Sequence, residues 1–302
     1  MNFKINSRNQ TVQFHLLNDI EVVIKREDEI HPHISGNKYR KLKYNIIAAK
    51  NQGINTLLTF GGAYSNHIAA TAAAGAEFGF KTIGIIRGEE IVTKIDENPT
   101  LSFAQNCGMK FKFITRSLYR EKENSAFIES LKKEFGTFYR LPEGGTNELA
   151  IRGCEEILTI EDKSFDYICT AVGTGGTIAG IINSAYPHQK VIGFPSLKGD
   201  FLHDEIAKWT TKTNWELETN YHFGGYGKIN NNLITFINKF KEKTSIPLDP
   251  IYTGKMLYGI VDMIQNLTFD KGSKILAIHT GGLQGIEGMN KLLKQKKTLQ
   301  II

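Results

Sequence analysis

The chain has 302 residues, 41 % apolar and 23 % charged, which suits one large globular domain or two and excludes a disordered chain or a coiled coil. Its three scattered cysteines (Cys107, Cys154, Cys169) form no CxxC, which argues against a disulfide framework or a cysteine-based zinc module and points to a reducing compartment. The 37 basic and 31 acidic residues leave a net charge of +6, short of the concentrated charge of a nucleic-acid binder. The polar start MNFKINSRNQ shows no signal peptide, and no apolar run reaches the roughly 18 residues needed to span a bilayer. A cytoplasmic protein is therefore expected.

Along the chain, short apolar strands alternate with amphipathic helices. Strands are predicted at Glu21–Lys25, Thr56–Phe60, Lys81–Ile86, Phe111–Ile114, Phe165–Val172, Val191–Phe194 and Lys274–His279. Helices are predicted at Lys41–Gln52, Ile68–Phe78, Pro99–Cys107, Asn124–Phe135, Asn147–Ile160, Ile178–Tyr186, Ile229–Lys243 and Met256–Asn266. The basic run KLLKQKK (Lys291–Lys297) has helical spacing and reads as a solvated helix face. This alternation predicts parallel sheets covered on both faces, with ligands gathering beyond the carboxyl ends of strands. Three places qualify: after Phe60, after Val172 and after His279. Each carries glycines and small polar side chains.

Gly173-Thr174-Gly175-Gly176-Thr177 lies between a strand and a helix. Glycines let the backbone approach a ligand, successive N–H groups form an anion nest, and the helix start adds positive charge. The pattern suits a phosphate group, although a plain tight turn would look the same. A dinucleotide fingerprint would need glycine where Ile178 stands, and no GxxxxGK[ST] occurs, so the phosphate belongs to a smaller molecule. In Ser35-Gly36-Asn37-Lys38, a lysine follows a glycine turn just before a helix. A buried lysine loses its charge readily and can bond a carbonyl carbon, whereas the same residues on a surface are a solvated basic run. Gly61 to His67 (GGAYSNH) puts Ser65 and Asn66 at a helix mouth, where they can cap the helix or bind a carboxylate. His67 alone reads first as a structural histidine. His31 and His33 have no third metal ligand nearby.

In order, SGNKYRKLKY, YSNH, LPEGGTNELAIRGC, VGTGGT, FGGYGK, DPIYTGKMLYG and HTGG resemble the pyridoxal-phosphate family of 1-aminocyclopropane-1-carboxylate deaminase and D-cysteine desulfhydrase, from about Lys25 to Leu283. The resemblance implies an α/β tryptophan synthase β-like fold (fold type II) with two domains, each a mostly parallel sheet flanked by helices. Residues 1–40 with 149–302 would form the large cofactor-binding domain and 41–148 the small one. It also implies pyridoxal 5'-phosphate as cofactor, no metal, a small amino-acid substrate, and a homodimer. By position, Lys38 is similar to the lysine bonded to the cofactor, and Asn66 to the residue on its ring hydroxyl. Ser65, with Asn66 and His67, resembles the substrate-carboxylate and proton-transfer group. Gly173, Thr174, Gly175, Gly176 and Thr177 resemble the phosphate cup. Tyr226 and Tyr252 match the tyrosines on the substrate side of the ring.

In the deaminases a glutamate stands where this chain has Thr253 and pairs with the ring nitrogen, and an apolar residue stands at Thr280. Hydroxyls at both positions resemble the desulfhydrase branch and imply a weaker electron sink, adequate for losing thiolate. The expected reaction is β-elimination from D-cysteine to pyruvate, ammonia and sulfide. The alternatives are 1-aminocyclopropane-1-carboxylate deamination, a D-serine-type dehydration, or a non-catalytic cofactor-binding protein. The chain departs from the family at Ser35, at Ile68-Ala69 and in brief connections around residues 200–220.

Overall fold

The computed structural model describes residues 3, 5–12 and 19–302. Strands β1 (Asn9–Val12) and β2 (Glu21–Lys25) lead into helix α1 (Asn37–Asn51). There follow β3 (Thr56–Gly61), α2 (Asn66–Phe78), β4 (Lys81–Arg87), α3 (Pro99–Asn106) and β5 (Lys110–Ile114). Helices α4 (Arg116–Arg120) and α5 (Ser125–Phe135), strand β6 (Tyr139–Arg140) and helix α6 (Glu148–Glu155) complete the first half. The second half runs β7 (Tyr167–Val172), α7 (Gly176–Ser184), β8 (Lys190–Pro195), α8 (Phe201–Ala207), β9 (Trp215–Leu217), α9 (Asn231–Thr244), α10 (Thr253–Gln265), β10 (Lys274–Ile278) and α11 (Gly285–Gln295).

The strands form two sheets. One has the order β1-β2-β10-β7-β8-β9 and is parallel except for β1, which pairs antiparallel with β2. The other has the order β5-β4-β3-β6 and is parallel throughout. The apolar runs follow from burial on both faces. Along β10, Ile275 and Ala277 enter a core with α9 and α10, whereas Leu276 and Ile278 enter one with α7 and α8. In the smaller sheet, Leu57 packs with α1 and α2, and Leu58 and Phe60 pack with Phe127 and Leu131 of α5.

The fold class matches the expectation from the sequence. The differences in detail have tertiary causes. Helix α1 begins at Asn37, four residues before the predicted start, so Lys38 lies in its first turn and the expected domain boundary at residue 40 falls inside a helix. The Asn37 N–H donates to the Thr280 carbonyl (3.2 Å), a contact that local periodicity does not contain. The helix predicted over Asn147–Ile160 stops at Glu155, and a separate 3-10 turn spans Ile160–Ser164. Strands β1, β6 and β9 and helices α4 and α8 are too short for periodicity to show. Helix α11 exposes its lysines and buries Leu293. In the run Lys38–Lys43, by contrast, Arg40 and Lys41 are buried.

Candidate active site

Beyond the carboxyl ends of β3, β7 and β10 lies a cavity of about 310 Å³, within the small-molecule range of roughly 300–1,000 Å³. The three places picked from the sequence converge on it.

Gly36 (φ +61°) makes the turn into α1, where a Cβ would collide with the Thr280 carbonyl. Two residues on, Lys38 reaches into the cavity and its Nζ donates to the Gly144 carbonyl (3.0 Å). Lys41, one turn later, donates to the same carbonyl (3.1 Å) and to Thr146 Oγ1 (3.1 Å). Burial, then the charge of Lys41, push the Lys38 amine well below the usual lysine value of 10.5. The turn is fixed by Arg40, whose guanidinium donates to both Glu27 carboxylate oxygens (2.8 and 2.7 Å) in a buried pair.

After β3, Ser65 is the N-cap of α2 and its Oγ accepts the Ile68 N–H (3.3 Å). Ser65 also lines the cavity, so capping and facing a ligand coexist in one residue. Asn66 Oδ1 accepts from Gln284 Nε2 (2.9 Å). That bond turns the Asn66 amide nitrogen toward Gly282, where a Cβ would lie 2.8 Å from it. His67 is 1 % exposed, and neither ring nitrogen has a hydrogen-bond partner. Burial, then the charges of Lys38 and Lys41, hold it well below the usual 6.5, so it is a neutral imidazole on the cavity wall. Gly145 (φ +72°) passes so close that a Cβ would stand 2.8 Å from His67 Cε1.

The turn from β7 to α7 forms the cup. Gly175 (φ +83°) is left-handed and puts the unpaired first-turn N–H groups of α7 at the cavity. Thr174 Oγ1 meets Thr146 Oγ1 (2.7 Å), and Thr177 Oγ1 accepts from Asn37 Nδ2 (2.7 Å). Gly176 is fully buried behind the wall, 3.1 Å from Lys41 Nζ at its Cβ position.

Tyr226 rides a turn in which Phe223, Gly224, Gly225 and Gly227 all have positive φ. Lys255 secures that turn by donating to the carbonyls of His222 and Gly225 (both 2.9 Å). The Tyr226 and Tyr252 rings meet edge to face with centroids 6.2 Å apart. Burial, then the neighbouring Tyr226 hydroxyl, raise the Tyr252 hydroxyl well above its usual 10, which keeps its proton in place.

Of the residues read from the sequence, Lys38, Ser65, Asn66, His67, Gly173, Thr174, Gly175, Thr177, Tyr226, Tyr252 and Thr280 all line the cavity. Gly176 and Thr253 do not: both are buried, and the Thr253 hydroxyl donates to Asp249 Oδ2 (2.6 Å). Of the two threonines expected near the ring nitrogen, only Thr280 lines the cavity. Asn37, Lys41, Glu143, Gly144, Arg87 and Gln284 also line the cavity, beyond the residues that the sequence motifs single out. Lys41 carried a signal, since a residue three after Lys38 shares its helix face. Gln284 carried none. Among the described residues no group of three side chains could hold a metal, and His31 instead pairs with Glu77 (2.7 Å). No described helix is long and apolar enough to cross a membrane.

A nest of N–H groups beside an ammonium, a short reach from a lysine with a depressed affinity for its proton, fits a molecule bearing both phosphate and aldehyde. Comparison with known proteins agrees. Residues 10–281 match the family described as "Pyridoxal-phosphate dependent enzyme". A Pyrococcus horikoshii protein provisionally named a 1-aminocyclopropane-1-carboxylate deaminase is 33 % identical over 88 % of this chain and 85 % of its own. The mitochondrial bifunctional D-cysteine desulfhydrase/1-aminocyclopropane-1-carboxylate deaminase of Arabidopsis thaliana is 33 % identical over 90 % of this chain and 74 % of its own. The crystal structure of an ACC deaminase homologue superposes with a TM-score of 0.81 at 29 % identity, covering 97 % of this chain and 94 % of that one. The chain belongs to the pyridoxal-phosphate dependent enzymes, and its cofactor is pyridoxal 5'-phosphate.

Proposed function

We propose that this member of the pyridoxal-phosphate family catalyses β-elimination from a small amino acid, D-cysteine in the first instance, releasing pyruvate, ammonia and sulfide. The supporting observation is the wall formed by the start of α10 and the turn after β10. It contributes Thr280 and no carboxylate to the lining, the one acid among the described lining residues being Glu143 from another loop. A neutral partner favours departure of a good leaving group such as thiolate over the opening of a cyclopropane ring.

The residues divide the work. The cup Gly173–Thr177 would take the phosphate, with Lys41 as its counter-charge, and Lys38 would bond the cofactor. Asn66, oriented by Gln284, would meet the ring hydroxyl. Pyridoxal phosphate supplies the electron sink for charge developing at the substrate Cα. Lys38, freed when the substrate amine takes its place, would be the base for the Cα proton, its amine kept uncharged by desolvation. Ser65 and the N–H groups starting α2 hold the substrate carboxylate, with the ring N–H of the neutral His67 as a further donor beside them. Tyr252 keeps its proton and offers it to the departing sulfur, with Tyr226 closing the cavity over it. The four-stranded sheet and its helices form the small domain, the six-stranded sheet the large one, and the chain works as a homodimer.

Paired assays on one preparation test the substrate. Sulfide and pyruvate should appear from D-cysteine well ahead of 2-oxobutyrate from 1-aminocyclopropane-1-carboxylate. Turnover of the cyclopropane amino acid alone would overturn the reading.

A further inference from the structure

The turn that presents Tyr252 is held by a residue outside the cavity wall. Asp249 is 1 % exposed and its carboxylate accepts four hydrogen bonds. Oδ1 accepts the N–H groups of Ile251 (2.9 Å) and Tyr252 (2.8 Å). Oδ2 accepts the N–H (2.8 Å) and the hydroxyl (2.6 Å) of Thr253. In return the Asp249 N–H donates to Thr253 Oγ1 (3.1 Å), and the Gly254 N–H donates to the Asp249 carbonyl (2.8 Å).

A helix is usually capped by the side chain of its own N-cap residue, most often Ser, Thr, Asp or Asn. The N-cap of α10 is Tyr252, whose side chain makes no cap bond. Asp249, three residues upstream, supplies the oxygens instead. The tyrosine side chain is thereby free of capping, and its ring lies against the phosphate cup. A Cβ on Gly173 would stand 3.2 Å from Tyr252 Cε1 and 3.3 Å from its hydroxyl.

The same carboxylate also backs the turn after β10. A Cβ on Gly282 would lie 3.5 Å from Asp249 Oδ2 and 2.8 Å from Asn66 Nδ2. His279 ties the two turns together: its Nε2 bonds the Pro247 carbonyl (2.7 Å) and its Nδ1 accepts the Gly281 N–H (3.2 Å).

We propose that Asp249 is a positioning residue. By taking over the cap of α10 it fixes the backbone of Tyr252, and so sets the tyrosine hydroxyl against the cup, while leaving that side chain free for the substrate. The proposal rests on the reading above that Tyr252 acts in the reaction. Asp249→Asn keeps the shape but turns one acceptor into an NH₂ group facing donors.

Two measurements test it. The first needs no cofactor or turnover: amide hydrogen exchange in the wild-type and Asp249→Asn apoproteins. Exchange at residues 251–253 should be at least tenfold faster in the variant, with α9 unchanged. Equal rates at those amides would overturn the proposal, whatever the enzyme's substrate.

The second is a double-mutant cycle on the holoenzymes of wild type, Asp249→Asn, Tyr252→Phe and the pair, below the unfolding temperature of each. With full cofactor loading, Asp249→Asn should lower kcat about 10–100-fold with KM nearly unchanged, the scale of a misplaced reacting group. The pair should be little worse than the poorer single variant. Multiplying losses would overturn the proposal, as would a normal kcat in Asp249→Asn holoenzyme of reduced stability. If Asp249→Asn does not fold, Thr253→Val, which removes the hydroxyl that donates to the carboxylate and accepts the Asp249 N–H but leaves the three backbone bonds to the carboxylate, takes its place in both measurements with a smaller effect of the same pattern. A normal kcat in Tyr252→Phe would sink the role of Tyr252, and with it the proposal. A wild type inert toward both amino acids would sink the substrate reading and leave the exchange result standing.

Discussion

The two ends of the cavity are built differently. The cup end is mostly backbone: glycines with positive φ, a helix start, and the Gly144 carbonyl shared by Lys38 and Lys41. The tyrosine end is mostly side chains holding other side chains and turns: Asp249 on Tyr252 and Thr253, Lys255 on the Tyr226 turn, Gln284 on Asn66. Backbone recognises a phosphate whatever molecule carries it, so that end suits the invariant part of the chemistry. Side-chain networks change by single substitutions, so the other end suits discrimination between amino acids.

The largest effect should come where the two ends meet. Lys38→Ala removes both the covalent anchor and the base, and turnover should drop at least about a thousandfold, the scale for losing a central catalytic group. Steady-state rates on cofactor-supplemented enzyme check this. Less than a tenfold loss would break the comparison by removing the link between the ends.

Gly145→Ala probes the cup end. Its φ of +72° and the His67 ring 2.8 Å from the new Cβ make the substitution strained, by about 1–3 kcal/mol. Cofactor affinity should fall about tenfold or more, seen by titrating apoprotein with pyridoxal phosphate, whereas kcat of the loaded enzyme should change less. Gln284→Ala probes the other end. Losing one hydrogen bond to Asn66 costs about 0.5–1.5 kcal/mol, and the expected result is a few-fold weaker cofactor binding.

The smallest effect concerns Lys255, which burial lowers to about 8 from 10.5. Between those values the unfolded chain binds a proton that the folded chain has lost, so this lysine makes stability rise with pH across that window. Thermal unfolding of wild type and Lys255→Met at pH 7.5 and 9.5 should show the wild type gaining relative to the variant. A relative loss would contradict the burial of Lys255.

The same comparison explains what the sequence could tell. GTGGT, GGAYSN and SGNK are contiguous, and glycines at strand ends carry their own physical reason, so the cup was legible. The ordered motifs also gave the fold class. The tyrosine end was legible only in outline. Tyr226 and Tyr252 could be placed by resemblance, but Thr253 was assigned to the ring nitrogen while its hydroxyl is bound to Asp249. Those two are only four positions apart, yet it takes the bend before α10 to turn one onto the other. Gln284 and Asn66 are 218 positions apart, and no local pattern joins them. The early start of α1 likewise depends on the Thr280 carbonyl, on a strand end far along the chain.

Borohydride reduction of the protein mixed with pyridoxal phosphate, followed by peptide mapping, tests the central claim most directly. One cofactor per chain should be fixed on Lys38, at a rate that rises with pH and levels off below the ordinary lysine value of 10.5. A label on Lys41 or on scattered surface lysines, or none at all, would contradict the account.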